Sequence, residues 1–296
     1  MRAGYPTDWI PPSRNRRSPM PIIAIALAAA AAIWYCLPYI QGEAEYSDIR
    51  KTSAPPIEAS EPISDQNAGD PLMQREIDWD GLRAINADVI GWIYVPNTPI
   101  DYPVVQAPVD DPGKYLRTTF EGAVSWPNNQ GTIYLDSSCS EDGWSSESPL
   151  LYGHYQLNNS MFSAFSKNYE QSTLASHDSI YIYTPSGSIH LRAFAANAVN
   201  ADVEKIRLDF SDADDLNNWL DSKIAESEAV SYDPGHVDQL WTFCVCSYHL
   251  WQNQRTLTYA EVIDSTTTYP LGFNKKQSTK DPFRDPAAES SLERED

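Results

Sequence analysis

The chain has 296 residues and carries 21 Lys plus Arg against 41 Asp plus Glu, a net charge of -20. Its length suits one sizeable core with appendages, and its acidity argues against a nucleic-acid partner, because phosphate binding needs a basic face. Four cysteines, Cys36, Cys139, Cys244 and Cys246, do not make a disulfide framework, and a bridge between Cys244 and Cys246 on one strand is disfavoured by geometry.

Residues 1–21 are polar, with Arg14, Arg16 and Arg17 ahead of an uncharged, alanine-rich run. Residues 22–40 are expected to form a membrane-spanning signal-anchor, since a span needs about 20 apolar residues. Basic residues before it and Glu43, Glu45 and Asp48 after it put the N-terminus inside and the bulk of the chain outside the cell membrane. A cleaved signal peptide is the rival reading. Residues 41–71 are rich in Pro, Ser, Ala and acids and read as an extracellular linker.

From Leu72 to Asn86 the apolar spacing predicts a helix. Short β-type runs follow at Gly91 to Val95, Ile100 to Val105, Gly131 to Asp136 and Leu150 to His154, separated by Pro, Asn, Asp and Gly. Ser160 to Tyr169 reads as a short helix. Ser179 to Thr184 and Ser188 to Ala196 alternate around a Pro185-Ser186-Gly187 turn and form a hairpin. Asp212 to Glu228 is helical, with Leu216, Trp219, Leu220 and Ile224 on one side and acids at its start. Two strands, Trp241 to Cys246 and Arg255 to Val262, complete the domain. Residues 264–296 are polar and charged and are expected to be disordered. This pattern predicts a mainly-β barrel or sandwich.

Three residues at strand ends carry the chemistry. Cys246 offers a nucleophilic thiol, His154 an imidazole that titrates near neutrality, and Arg255 a permanent charge with forked donors. Together they are the parts of a cysteine acyl-transfer site. Each has a plain alternative: a Cys in an apolar strand is usually a small buried hydrophobe, a lone His is more often structural, and an Arg is more often a surface ion. Cys244 is the rival thiol, deeper on the same strand, and His249 is the other imidazole close to Cys246 in sequence.

Several motifs resemble those of the class B sortases over roughly residues 72–263. Thr242-Phe243-Cys244-Val245-Cys246 is similar to the Thr-Leu-x-Thr-Cys strand end, Tyr152-Gly153-His154 to the family's Tyr-Gly-His, and Ser160-Met161-Phe162 to its Ser-Met-Phe. Arg255 opens the last strand as the family's Arg does. Gly91-Trp92-Ile93, Thr98 to Gln106, Tyr115-Leu116 and Gly131 to Asp136 add further likeness. Two features depart from the pattern: Cys244 stands where a small polar residue is usual, and the strand after Arg255 is more polar.

The resemblance implies a closed sortase-type β-barrel with an N-terminal helix and a helix inserted before the strand carrying the Cys. It implies a membrane-anchored transpeptidase of Gram-positive bacteria. Cys246 would form a thioacyl intermediate on a C-terminal sorting signal of a secreted protein. His154 would protonate the leaving amine, Arg255 would hold the acyl oxygen, and Thr242, Cys244, Ser247 and Tyr248 would contact substrate. A peptidoglycan or pilin amine would resolve the intermediate, and no metal or cofactor is implied. The alternatives are another extracytoplasmic cysteine peptidase or transpeptidase acting on peptidoglycan, and a non-catalytic surface-binding module.

Overall fold

The computed structural model describes residues 20–55, 70–124, 130–139 and 143–273. The chain falls into two compact units, Met1–Leu37 and Pro38–Asp296. Helix α1 (Met20–Ser53) begins in the first and ends in the second. Within the second unit its last turns are anchored by Tyr46 and Ile49, both buried. The Tyr46 hydroxyl donates to the Gly131 carbonyl at 2.6 Å and accepts from the Phe120 amide at 3.2 Å.

Helix α1 corrects the expected membrane anchor. Among the described residues no helix is long and apolar enough to cross a membrane. The same helix then continues through Glu43, Glu45 and Asp48. The single-pass placement over 22–40, with the N-terminus inside and the catalytic domain outside, is therefore set aside, and so is membrane association through this helix.

The expected linker over 41–71 is helical as far as Ser53, and its stretch 56–69 lies outside the described residues, as do residues 1–19 of the N-terminal segment. A 3-10 turn (Pro71–Gln74) and helix α2 (Trp79–Ile85) replace the single helix expected from Leu72 to Asn86. The break has a local cause. Asp70 caps the first element and Asp78 the second, each accepting a backbone N–H two or three residues on.

The sheet has nine strands: β1 (Val89–Tyr94), β2 (Asp101–Gln106), β3 (Ile133–Leu135), β4 (Leu150–Gly153), β5 (Ser179–Thr184), β6 (Gly187–Asn200), β7 (Ala229–Val230), β8 (Trp241–Cys246) and β9 (Gln254–Ser265). Their order is β5-β1-β2-β3-β4-β8-β9-β6-β7, and β5 also pairs with β6. That last pairing closes eight strands into a barrel and leaves β7 as a short flap on β6. Closure removes the free sheet edges.

Period-2 alternation sorts the side chains of β8. Trp241, Phe243 and Val245 join the main core with Trp92, Val104, Phe162 and Phe165. Phe243 meets the Phe162 and Phe165 rings of the 3-10 turn Phe162–Lys167 at 6.0 and 5.6 Å. Cys244 points the other way, into a second cluster with Leu150, Leu257 and Tyr259 under helix α5 (Ala213–Glu226). Asp212 caps α5 by accepting from the Asp215 amide at 2.8 Å, and Leu216 and Leu220 form its buried stripe. Helix α5 packs on β6 and closes this cluster, and the candidate residues emerge at the C-terminal ends of β4 and β8.

Strand β9 runs to Ser265, past the expected boundary at 263. The chain stays packed to Phe273: Thr266 donates its amide to the Ser188 carbonyl at 2.9 Å, Tyr269 is buried, and Phe273 donates to the Asp238 carbonyl at 3.1 Å. These backbone bonds, invisible to composition, hold a polar stretch in place. The remainder of the expected tail, 274–296, lies outside the described residues.

Candidate active site

Strands β8 and β9 are antiparallel, and their register sets Cys246 directly opposite Arg255. Cross-strand partners have Cβ atoms about 4.5–5.5 Å apart on one face, so thiol and guanidinium are neighbours by backbone geometry alone. The guanidinium interacts electrostatically with the sulfurs of both Cys246 and Cys244. Burial works against its charge, but the two thiols and Tyr152 outweigh burial and raise the Arg255 pKa.

Strand β4 runs parallel to β8, with Tyr152 level with Cys244 and Gly153 level with Val245. Tyr152 stacks on Tyr134 of β3 at 5.2 Å. Burial first, then the Cys244 and Asp136 charges, push both phenols above their ordinary range. Tyr134, Tyr152 and Asp136 thus form a wall beside the thiols that the candidate list from sequence omitted. The signal was present: Tyr152 belongs to the Tyr-Gly-His run, and Tyr134 pairs with it across the sheet.

His154 follows β4 and is level with Cys246 along the chain, but its ring is engaged elsewhere. It is 8% exposed, and its Nε2 lies 3.2 Å from the Tyr115 carbonyl. A Cβ on Gly131 would sit 2.1 Å from Nε2, and Gly131 has φ +52, so only glycine leaves room for the imidazole there. Burial lowers the His154 pKa to about 4, against the opposing pull of backbone hydrogen bonds to Tyr115 and Thr132. At neutral pH the ring is uncharged, and Nε2–H donates to the Tyr115 carbonyl. The structure therefore brings Cys246 and Arg255 together, while the imidazole's hydrogen bonds go to the barrel wall.

That buried neutral imidazole sets an acid limit on stability. Its folded pKa, about 4, lies below its unfolded value of 6.5. Between these the unfolded chain binds a proton that the folded chain does not, so stability is present above pH 6.5 and falls as pH drops toward 4. The full loss is roughly 3 kcal/mol. In urea titrations at about pH 7 and about pH 4.5, His154→Gln will show a smaller loss between the two pH values than the unmodified chain. Equal losses would mean that His154 is not the group that titrates.

Of the four expected substrate contacts, three are buried. Thr242 is 0% exposed and its Oγ1 has no hydrogen-bond partner among the described residues. Ser247 is 1% exposed, and its Oγ accepts from the Thr256 hydroxyl at 3.1 Å. Cys244 is buried, and burial pushes its pKa up to about 12 even though Arg255 pulls it down. Only Tyr248 is open, at 56% exposed. It adopts φ +51, an uncommon conformation for a non-glycine residue. The neighbouring Cys246 thiol and then burial drive the Tyr248 pKa up to about 12.

All four cysteines are free thiols. Cys246 alone combines partial exposure with a cationic neighbour, the setting that makes a thiol reactive. Cys139 is buried and Cys36 lies in the first unit. Among the described residues no group of three or more His, Cys, Asp or Glu could hold a metal ion.

Barrel and site together define a closed β-barrel protein with a thiol and a guanidinium at paired strand ends. The chain is homologous to the class B sortases and shares their fold. It is 29% identical over 143 residues to sortase B of Staphylococcus aureus, a match covering 48% of this chain and 56% of that protein. It is 24% identical over 139 residues to sortase B of Listeria monocytogenes, covering 47% of this chain and 54% of that protein. The chain thus spans about half the length of the curated relatives it matches. The crystal structure of S. aureus sortase B is similar at a TM-score of 0.54 and 26% identity, over 62% of this chain and 86% of that one. No family model matches.

Proposed function

We propose that the chain is a sortase-type cysteine transpeptidase acting on peptide substrates. The observation that supports it most is the pairing of Cys246 with Arg255 across β8 and β9. The Cys246 thiolate attacks a peptide carbonyl near a C-terminal sorting signal of a secreted protein. Arg255 donates hydrogen bonds to the developing oxyanion. The C–N bond breaks, the leaving amine takes a proton, and a thioacyl enzyme remains. A peptidoglycan or pilin amine then displaces the sulfur.

His154 is the proposed proton donor to the leaving amine. In that role its ring turns off the Tyr115 carbonyl when peptide fills the groove, as catalytic hydrogen bonds often tighten only in the complex. Tyr248, two residues past Cys246 and exposed, is the side chain best placed to touch the peptide.

The test is intact mass of the purified full chain after mixing with a panel of sorting-signal peptides. A thioacyl adduct on Cys246 that clears faster with added amine is the expected result. No adduct with any peptide, together with a Cys246 inert to a small alkylating agent, would instead support the binding-module reading, which the buried, neutral His154 favours.

A further inference from the structure

One face of helix α1 reaches the surroundings of His154 from outside its strand. Two strips meet at the imidazole. One is the cradle, residues 130–132 with the Tyr115 carbonyl, where the ring occupies the space left by Gly131. The other is the segment that carries the ring, residues 154–162. In it Tyr155 bridges Met161, and Phe162 donates its amide to the His154 carbonyl at 3.0 Å. Glu43 and Tyr46, three residues apart and so on one side of α1, connect to both strips. Glu43 Oε1 accepts from Gln130 Nε2 of the cradle at 3.1 Å and from Asn158 Nδ2 of the ring-bearing segment at 3.2 Å.

Tyr46 makes the same connection deeper in the core. Its hydroxyl donates to the Gly131 carbonyl at 2.6 Å. Its ring stands edge-on to Tyr102, with centroids 5.3 Å apart, and the Tyr102 hydroxyl accepts from the Met161 amide at 3.1 Å. The helix comes so close that a Cβ on Gly42 would overlap the Gln130 side chain. Tyr46 and Gln130 are each buried, so water competes little for these bonds. The titration of His154 answers to burial and to the backbone of Tyr115 and Thr132. It therefore reports how tightly the cradle is closed on the ring.

We propose that this face of α1 is an inhibitory clasp: Glu43 and Tyr46 tie the cradle to the segment carrying His154, and the imidazole leaves the Tyr115 carbonyl only when the clasp loosens. The proposal rests on the transpeptidase reading, in which His154 protonates the leaving amine. A neutral ring whose N–H is given to a carbonyl cannot do so. Release of the ring leaves no orphan acceptor behind, because the Tyr115 carbonyl keeps the Thr132 amide at 3.0 Å. Glu43 is only half-buried, so water replaces its two bonds at small cost, and the clasp opens from that end. Glu43 and Tyr46 are positioning residues, acting on the reaction through His154.

The test is NMR titration of the imidazoles in the full chain, with adduct formation on sorting-signal peptides read separately by intact mass. In the unmodified chain His154 should titrate at about 4. In Glu43→Ala, which removes both bonds to the carboxylate, it should titrate about one pH unit higher, toward its ordinary value. Glu43→Gln keeps an acceptor oxygen and should restore the original titration. The protonated fraction at pH 7 rises about tenfold per pH unit, so Glu43→Ala should form the thioacyl adduct about tenfold faster. Tyr46→Phe should act in the same direction; should it not fold, Glu43→Ala decides alone, because Glu43 is half-exposed. An unchanged titration in Glu43→Ala, or a higher one with an adduct that forms no faster, would overturn the proposal. Failure of every chain to form an adduct would count against the transpeptidase reading alone, because the titration reports on the clasp without turnover.

Discussion

Cys246→Ala will form no acyl adduct with any peptide, and its unfolding transition will be unchanged within a few degrees. The loss is complete because no other thiol can take over. Cys244 shares the strand and the face, but it is 1% exposed, packs under α5 with Leu150 and Leu257, and has its pKa pushed up to about 12. At neutral pH it is a neutral thiol without access to a carbonyl carbon, and only a thiolate is a nucleophile. Stability is retained because Cys246 is partly exposed at a strand end and joins neither apolar cluster. Cys244→Ser, by contrast, will keep most of the activity. Intact mass with and without peptide reads both variants. An inactive Cys244→Ser with an active Cys246→Ala would exchange the two assignments.

Arg255→Ala will slow adduct formation about 10²–10³-fold, the usual cost of one oxyanion donor, roughly 3–4 kcal/mol. Register places the guanidinium opposite the Cys246 thiol, and its charge acts on both sulfurs. The variant removes the cation beside the nucleophile as well as the oxyanion donor, so its reaction with a small alkylating agent will also slow. Arg255→Lys will recover only part of the rate, because an ammonium cannot reproduce the planar fork. Stopped-flow acylation against alkylation separates the contributions: a slower alkylation with unchanged acylation would remove Arg255 from the oxyanion role.

Much of this arrangement was legible in the sequence. Apolar, β-branched and aromatic runs identified β8 and β9, the three- and four-residue apolar spacing identified α5, and alternation around Pro-Ser-Gly identified the β5–β6 turn. The motif likeness pointed to the closed barrel that the β5–β6 pairing completes. The membrane anchor was misjudged for a physical reason. Apolar composition over 22–40 says nothing about where a helix ends, and here the helix runs on through Glu43, Glu45 and Asp48 to dock Tyr46 and Ile49. Composition likewise does not show that the stretch up to Phe273 is held by backbone bonds to Ser188 and Asp238.

The sequence by itself determined the identities and order of the reacting groups: a thiol ending one strand, a guanidinium opening the next, and an imidazole after Tyr-Gly. Residue type and strand period are local properties, and they survive in a one-dimensional reading. Only the tertiary structure decided which groups meet. It paired Cys246 with Arg255, buried Cys244, Thr242 and Ser247 under their neighbours, and turned His154 onto the Tyr115 carbonyl in the space left by Gly131. Burial and side-chain direction depend on contacts between residues far apart in the chain, and those contacts exist only once the barrel has closed.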